Sequence, residues 1–134
     1  MASFSAAELD YLLGERRLGR LATVDETGQP HVVPVGWRYN PELGTIDVSG
    51  RNFAATRKFR NVRENPKAAF VVDDVLPPWR PRSVMVQGRA QALEAPAGTG
   101  AESGVKGGGA MIRIVPDKIV SWGLEASDGR VSRS

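Results

Sequence analysis

The 134-residue chain contains no cysteine and only one histidine. The missing thiols exclude a disulfide scaffold, a thiolate zinc site and a cysteine nucleophile. With His31 as the only imidazole, a metal site built from several histidines of one chain is excluded, and a Ser-His-Asp triad would have to use that residue. No run of about 18 apolar residues is present, so no membrane span is expected. The first residues lack a basic stretch followed by an apolar one, so we expect no secretory signal and a cytoplasmic protein.

The composition is that of a small globular protein, with 41% apolar and 25% charged residues. The net charge of +3 is distributed unevenly. Residues 51–89 contain nine Lys and Arg against three acids, which gives +6 for this stretch and −3 for the rest. A local basic field attracts anions such as phosphates, a polyanionic cofactor or nucleic acid. Few aromatic residues interleave these charges, which disfavours nucleic acid, and a merely solvated helix face is the simpler alternative.

Hydrophobic periodicity predicts a mainly β fold with two helices. Ser5 and Glu8 fit a capping box at the start of a short N-terminal helix. A second helix is predicted to open with Asn52 as its N-cap and to stop at Pro66. Pro34 interrupts the second strand and predicts an edge position or a bulge there. The short connections favour a small antiparallel barrel or sandwich. The predicted strands cover residues 18–24, 31–39, 45–49, 68–72 and 83–93, and a last strand in two pieces covers 111–115 and 119–122.

The strongest local pattern for ligand binding is the passage from a strand into the second helix. The strand ends at Ser49, and Gly50 permits close approach of the backbone. Free N–H groups at a helix N-terminus form a natural phosphate site. Arg57 and Lys58 then lie to one side of the apolar helix stripe, so these cations border the core. The pattern predicts a phosphate site, with a solvated helix face as the alternative.

Three further features carry weaker signals. Trp79 is held between prolines and beside two arginines, which suits stacking of a planar ligand or a dimer contact, with a plug for the barrel end as the alternative. His31 at the start of a strand is more typical of a hydrogen-bonded residue than of a catalyst. The Gly-rich segment 95–109 has no phosphate-binding GxxxxGK[ST] pattern, and its role stays open.

Several motifs in a fixed order resemble one known family. They are residues 18–24, residues 28–35, the helix motif from Thr56 to Pro66, Gly88-Arg89-Ala90, and Ile114-Val115-Pro116 with Ser121-Trp122-Gly123. Together they resemble the pyridoxamine 5′-phosphate oxidase-like split-barrel superfamily over nearly the whole chain. Within it, the chain is most similar to the short actinobacterial branch that uses the deazaflavin coenzyme F-420.

The resemblance implies a six-stranded antiparallel split β-barrel of the FMN-binding type, with a short N-terminal helix and one inserted helix. A single domain is expected over residues 1–125, followed by a disordered tail at 126–134. The resemblance also implies a homodimer with two cofactor sites at the interface. A shared site suits the length, because a chain of this size can bury only roughly two-thirds of its unfolded surface.

The resemblance further implies which residues hold the cofactor. Lys58 is expected to contact the cofactor phosphate, with Thr56 or Arg57 assisting. The backbone of the second strand is expected to run along the planar ring, and an aromatic in the loop before the long strand lines the pocket. The residues implied for these last two roles are Val33, Pro34, Val35 and Gly36 for the ring, and Trp79 for the pocket wall.

The implied activity is hydride transfer from reduced coenzyme F-420 to an electron-poor C=C or C=N bond of a small organic acceptor. The cofactor would supply the reactive atom, so no catalytic side chain is assigned. The polyanionic tail of the deazaflavin suits the +6 region. The alternatives are an FMN-binding oxidoreductase of the same fold and a non-catalytic protein that binds a cofactor or a tetrapyrrole. No second phosphate cluster is evident, which disfavours oxidation of a vitamin phosphate.

Overall fold

Helix α1 (Ala6–Gly14) begins at the capping box that the sequence predicts. In the computed structural model, which describes residues 1–94, 109–124 and 129–134, the Ser5 hydroxyl accepts from the N–H of Glu8 at 3.2 Å, and the Glu8 carboxylate accepts from the N–H of Ser5 at 2.9 Å. Both bonds satisfy amide groups that the first turn of a helix leaves free. Residues 95–108 of the Gly-rich segment lie outside the described residues.

Antiparallel strands make up most of the fold, as the resemblance implied. They form one curled sheet in the order β2-β1-β5-β6-β7-β4-β3, and β8 pairs with β7 outside this path. The described residues hold eight strands where six were expected. The strands are β1 (Gly19–Val24), β2 (Pro30–Val35), β3 (Trp37–Asn40), β4 (Thr45–Ser49), β5 (Lys67–Leu76), β6 (Arg80–Leu93), β7 (Met111–Trp122) and β8 (Arg130–Arg133).

The split in the barrel falls inside the second predicted strand. Val35 ends β2 and pairs with Gly19 of β1, whereas Trp37 begins β3 and pairs with Val48 of β4. Gly36 alone therefore joins the two end strands of the sheet path. The prediction of one continuous strand over 31–39 is wrong, because the chain changes hydrogen-bonding partner at Gly36. Pro34 lies in the end strand β2, which confirms the predicted edge position.

The core lies on the concave side of the sheet, where alternate strand residues point inward. Phe70 packs edge-to-face on Trp37 with ring centroids 5.6 Å apart, directly beneath the split. A side chain on Gly19 would place its Cβ 2.3 Å from the Phe70 ring, so β1 passes the core there without a side chain. The largest buried side chains include Phe59, Phe70, Leu21, Ile46, Ile112, Ile114 and Ile119.

Helix α2 (Arg57–Glu64) starts four residues later than the sequence predicts. Asn52 has a left-handed backbone with φ of 49° and makes no side-chain cap. A 3-10 turn at Phe53–Ala55 follows it, and Thr56 is the real N-cap, because its hydroxyl accepts from the N–H of Phe59 at 3.3 Å. Like Asn, Thr is a favourable cap, so local pattern did not discriminate between the two positions.

The C-terminal residues also differ from expectation. Residues 126–134 were expected to form a disordered tail, but Arg130–Arg133 form β8 and pair with the end of β7. The Arg133 guanidinium contacts the buried carboxylate of Glu8 and donates to the carbonyl of Ser3 at 3.2 Å. These partners lie at the other end of the sequence, where local patterns cannot show them. The assignment of residues 1–125 to a single domain stays a prediction.

Candidate cofactor site

The start of α2 places a half-buried lysine beside the end of β4. The Lys58 ammonium lies 5.2 Å from the centroid of the Phe53 ring. The same ring lies against Gly50, where an added Cβ would be 3.7 Å from it. Phe53 thus brings Gly50 and Lys58, both predicted site residues, to one place. Burial lowers the pKa of Lys58 below the ordinary lysine value of 10.5.

No carboxylate neutralises Lys58 among the residues that the structure describes. Arg63, one turn later, differs because its guanidinium pairs with Glu94 at 2.8 Å. Arg57 is exposed beside Lys58, and the Thr56 hydroxyl bonds to the carbonyl of Phe53 at 2.6 Å. The start of α2 therefore combines free helix N–H groups with an unpaired ammonium. This combination can bind a phosphate.

The predicted ring-binding stretch forms an edge of the sheet. Val33 pairs with Leu21, and Pro34 with Arg20, while the other side of β2 has no partner strand among the described residues. Val35 is buried at this strand's end. Gly36 is exposed, and a Cβ added there would meet no atom within 4 Å. The backbone next to Gly36 is therefore open to a planar group.

Trp79 stands apart from the other predicted site residues. It lies in the turn between β5 and β6 with 75% of its surface exposed, so the alternative role as a plug of the barrel is wrong. Ser49 lies beyond the opposite end of β6, because it pairs with Met111, which pairs with Leu93. The structure of one chain therefore does not bring Trp79 together with Ser49.

A polar cluster beside the Trp79 turn was missed by the sequence reasoning. Asp74 of β5 accepts from Arg82 of β6, from Arg17 and from the Tyr11 hydroxyl. Burial raises the pKa of Tyr11. The hydrogen bonds from Arg82 hold the pKa of Asp74 below its usual value despite some burial. The cluster joins residues up to 71 positions apart, so no local motif could have revealed it.

The single histidine makes the hydrogen bond that its strand position favours. His31 lies 2.9 Å from a carboxylate oxygen of Asp25 across the β1–β2 turn. Asp25 also accepts from the hydroxyl and N–H of Thr27, and these bonds hold its pKa far below the usual value. No group of three or more metal-ligating side chains occurs within residues 1–94, 109–124 and 129–134. Nor is any helix of these residues long and apolar enough to cross a membrane.

The convex side of the sheet carries an apolar surface, named here the outer face. Its residues alternate with the core residues along β1, β2, β5 and β6. Val32 is 67% exposed and pairs with Ala22, which pairs in turn with Ala69. A cleft of about 410 Å³ opens at one end of this face and includes Lys67 and Arg89. The outer face comprises Ala22, Val24, Val32, Ala69, Val71 and Met85, and the Arg20–Asp73 ion pair lies among them.

Comparisons with known proteins agree with this fold. The sequence profile of the family described as "Pyridoxamine 5′-phosphate oxidase" matches residues 5–123. A 5a,11a-dehydrotetracycline/5a,11a-dehydrooxytetracycline reductase of Streptomyces rimosus is 47% identical over 124 residues, which cover 91% of this chain and 84% of the relative.

Two solved structures show the same architecture at low sequence identity. An FAD-binding protein of Mesorhizobium loti has a TM-score of 0.64 at 24% identity, with 99% of this chain and 98% of the other covered. A pyridoxamine 5′-phosphate oxidase-related FMN-binding protein of Nostoc punctiforme has a TM-score of 0.62 at 10% identity, with 87% and 85% covered. At these identities the likeness establishes the split-barrel fold.

Proposed function

Since this chain belongs to the pyridoxamine 5′-phosphate oxidase family, we propose that it is an oxidoreductase that uses coenzyme F-420 to reduce a small organic acceptor. The relative named as a dehydrotetracycline reductase supports the reductase part of the proposal. The cofactor part depends on one observation, the unpaired, half-buried ammonium of Lys58 at the start of α2.

The residues present fit a phosphate-bearing cofactor with a planar ring. Lys58 and the free N–H groups at the start of α2 would hold the phosphate. The backbone beside Gly36 would bind the ring, because no side chain fills the space there. The deazaflavin supplies the hydride when it is bound. The chain itself would bind, orient and shield the ring, and the described residues hold no nucleophile paired with a base at this place.

The same geometry suits FMN, which is the second candidate. Lys58 could bind the phosphate of either cofactor. Arg51, Arg57 and Arg60 are exposed around the start of α2 and have no ion pair among the described residues, which favours the deazaflavin, because its tail carries several carboxylates beyond its phosphate. Flavins also transfer hydride, so the proposal of an oxidoreductase does not depend on which of the two cofactors is bound.

A homodimer forms part of the proposal. The outer face presents apolar side chains to solvent, and an exposed apolar patch of this kind marks an interaction surface. Trp79 is exposed at the far end of β6, so a second copy could supply it to a cofactor site. Pairing through the outer face would cover the patch and supply this aromatic.

The decisive experiment titrates the purified protein with coenzyme F-420 and separately with FMN, following cofactor fluorescence. We expect binding of F-420 well below millimolar concentration, and oxidation of the reduced coenzyme with a panel of enones and quinones. Tight binding of FMN together with no response to F-420 would favour the second candidate. Binding of either cofactor without turnover of any acceptor would indicate a carrier and reject the enzyme.

A further inference from the structure

A groove of about 380 Å³ lies where the barrel is split, between the end of α1 and the edge strand β3. Leu13 and Leu18 line it with 61% and 59% of their surfaces exposed, so together with Trp37 they present a contiguous apolar surface to the groove. The volume falls in the range of small-molecule sites. The apolar lining of this split groove consists of Leu12, Leu13, Leu18, Gly36, Trp37 and Tyr39.

The wall of the split groove is rigid. The indole N–H of Trp37 donates to the carbonyl of Arg17 at 2.8 Å and so fixes the ring against the chain that precedes β1. The indole ring also packs against Phe70 in the core. Arg17 is held in turn by Asp74 at 3.1 Å. A preformed wall keeps the entropic cost of binding a ligand low.

The charges of the split groove favour an anion. Its lining contains three arginines and one acid. The acid, Glu15, pairs with Arg17 at 2.9 Å. Arg16 has no ion pair among the residues that the structure describes. The groove thus has a leucine- and tryptophan-lined wall with an unused guanidinium at its rim, which suits a flat apolar molecule with one anionic group.

We infer that the split groove binds the hydride acceptor, and that this acceptor is a fused-ring or extended aromatic acid. The assignment rests on the proposed function, because Gly36 both lines the groove and ends the stretch assigned to the cofactor ring. Hydride transfer requires donor and acceptor atoms within roughly 3.5 Å of each other. A molecule at the Gly36 end of the groove can meet this condition when the cofactor ring lies against Gly36.

The first test needs no cofactor. Binding of 2-naphthoate and of its neutral isostere 2-naphthamide is measured by calorimetry. We expect the acid to bind roughly two- to fivefold more tightly, as one solvated ion pair allows. Arg16→Gln should abolish this preference, and Leu18→Asn should weaken both ligands. Arg130→Gln and Val131→Asn, exposed on β8 and outside the groove, serve as matched controls.

Equal binding of acid and amide, or unchanged affinities in Arg16→Gln and Leu18→Asn, would overturn the inference. The second test adds coenzyme F-420 and looks for nuclear Overhauser contacts between its ring and bound naphthoate. Such contacts are expected, and a groove that binds naphthoate far from the bound ring would refute the acceptor role. Failure of F-420 to bind while naphthoate obeys the first test would reject the proposed cofactor and leave the groove as an aromatic-acid site.

Discussion

The carboxylate of Asp74 accepts two hydrogen bonds from the guanidinium of Arg82, at 2.9 and 2.6 Å, across neighbouring strands β5 and β6. Tyr11 of α1 and Arg17 bind the same carboxylate, each at 3.1 Å. One acid therefore ties the N-terminal helix to the β5–β6 hairpin. The wall of the split groove also depends on this cluster, because the backbone carbonyl of Arg17 accepts the indole N–H of Trp37.

Asp74→Asn should lower the free energy of unfolding by about 2 kcal/mol at neutral pH, since it removes a charge shared by three donors. The pKa of Asp74 is lowered in the folded state relative to the ordinary 3.8. Its contribution is therefore complete above the unfolded pKa, and is lost as the pH falls below about 4 toward the folded value. Urea unfolding at pH 7 and at pH 3 measures both effects.

A pair that is about half exposed provides the control for this prediction. Arg63 pairs with Glu94 at 2.8 Å, and about half of each side chain is exposed. Glu94→Gln should change stability by less than about 1 kcal/mol. Equal losses in the two variants would show that burial of the cluster has no special role.

Lys58→Met should weaken binding of coenzyme F-420 at least tenfold, because the variant keeps the apolar stem and loses the charge that faces the phosphate. Affinity in the unmodified protein should decline as the pH rises through the Lys58 pKa, which burial places below 10.5. Fluorescence titration at several pH values measures both. Arg130→Met is the control cation, and a tenfold loss in that variant would point to nonspecific attraction.

Gly36→Ala should leave the free energy of unfolding unchanged within about 0.5 kcal/mol, because the added methyl meets no atom within 4 Å. The same methyl would occupy the space assigned to the cofactor ring, so affinity for F-420 should fall. Gly14→Ala, at the end of α1 and equally unobstructed, should leave affinity for F-420 unchanged. A Gly36→Ala protein with normal affinity would move the ring site away from β2.

Val32→Asp should convert a dimer to a monomer, because it places a charge on the outer face at a position that is 67% exposed in the single chain. Cofactor affinity should fall with it if Trp79 of the second copy completes each site. Sedimentation velocity and fluorescence titration measure the two effects. Val131→Asp on β8 should preserve the dimer, and a dimer that persists in Val32→Asp would exclude the outer face as the interface.

Local sequence patterns predicted the features that depend only on residues close together in the chain. The capping box at Ser5 and Glu8 depends on residues three apart, and it formed as expected. Pro34 indicated an edge strand because it has no N–H to donate. The motifs that indicated the family were sufficient for the split-barrel class. The site residues implied by the same motifs stay predictions, although Gly50 and Lys58 do converge on Phe53.

Other features depended on residues far apart in the chain. The division at Gly36 follows from pairing of β3 with β4 instead of β1. Thr56, and not Asn52, caps α2. Arg133 of β8 contacts the buried carboxylate of Glu8 on α1, which helps to hold β8 in place. The sequence by itself determined the fold class, the capping box of α1 and the basic stretch. Only the tertiary structure decided where the barrel opens, which cations remain unpaired and where Trp79 lies, because burial and charge pairing depend on neighbours that no local spacing specifies.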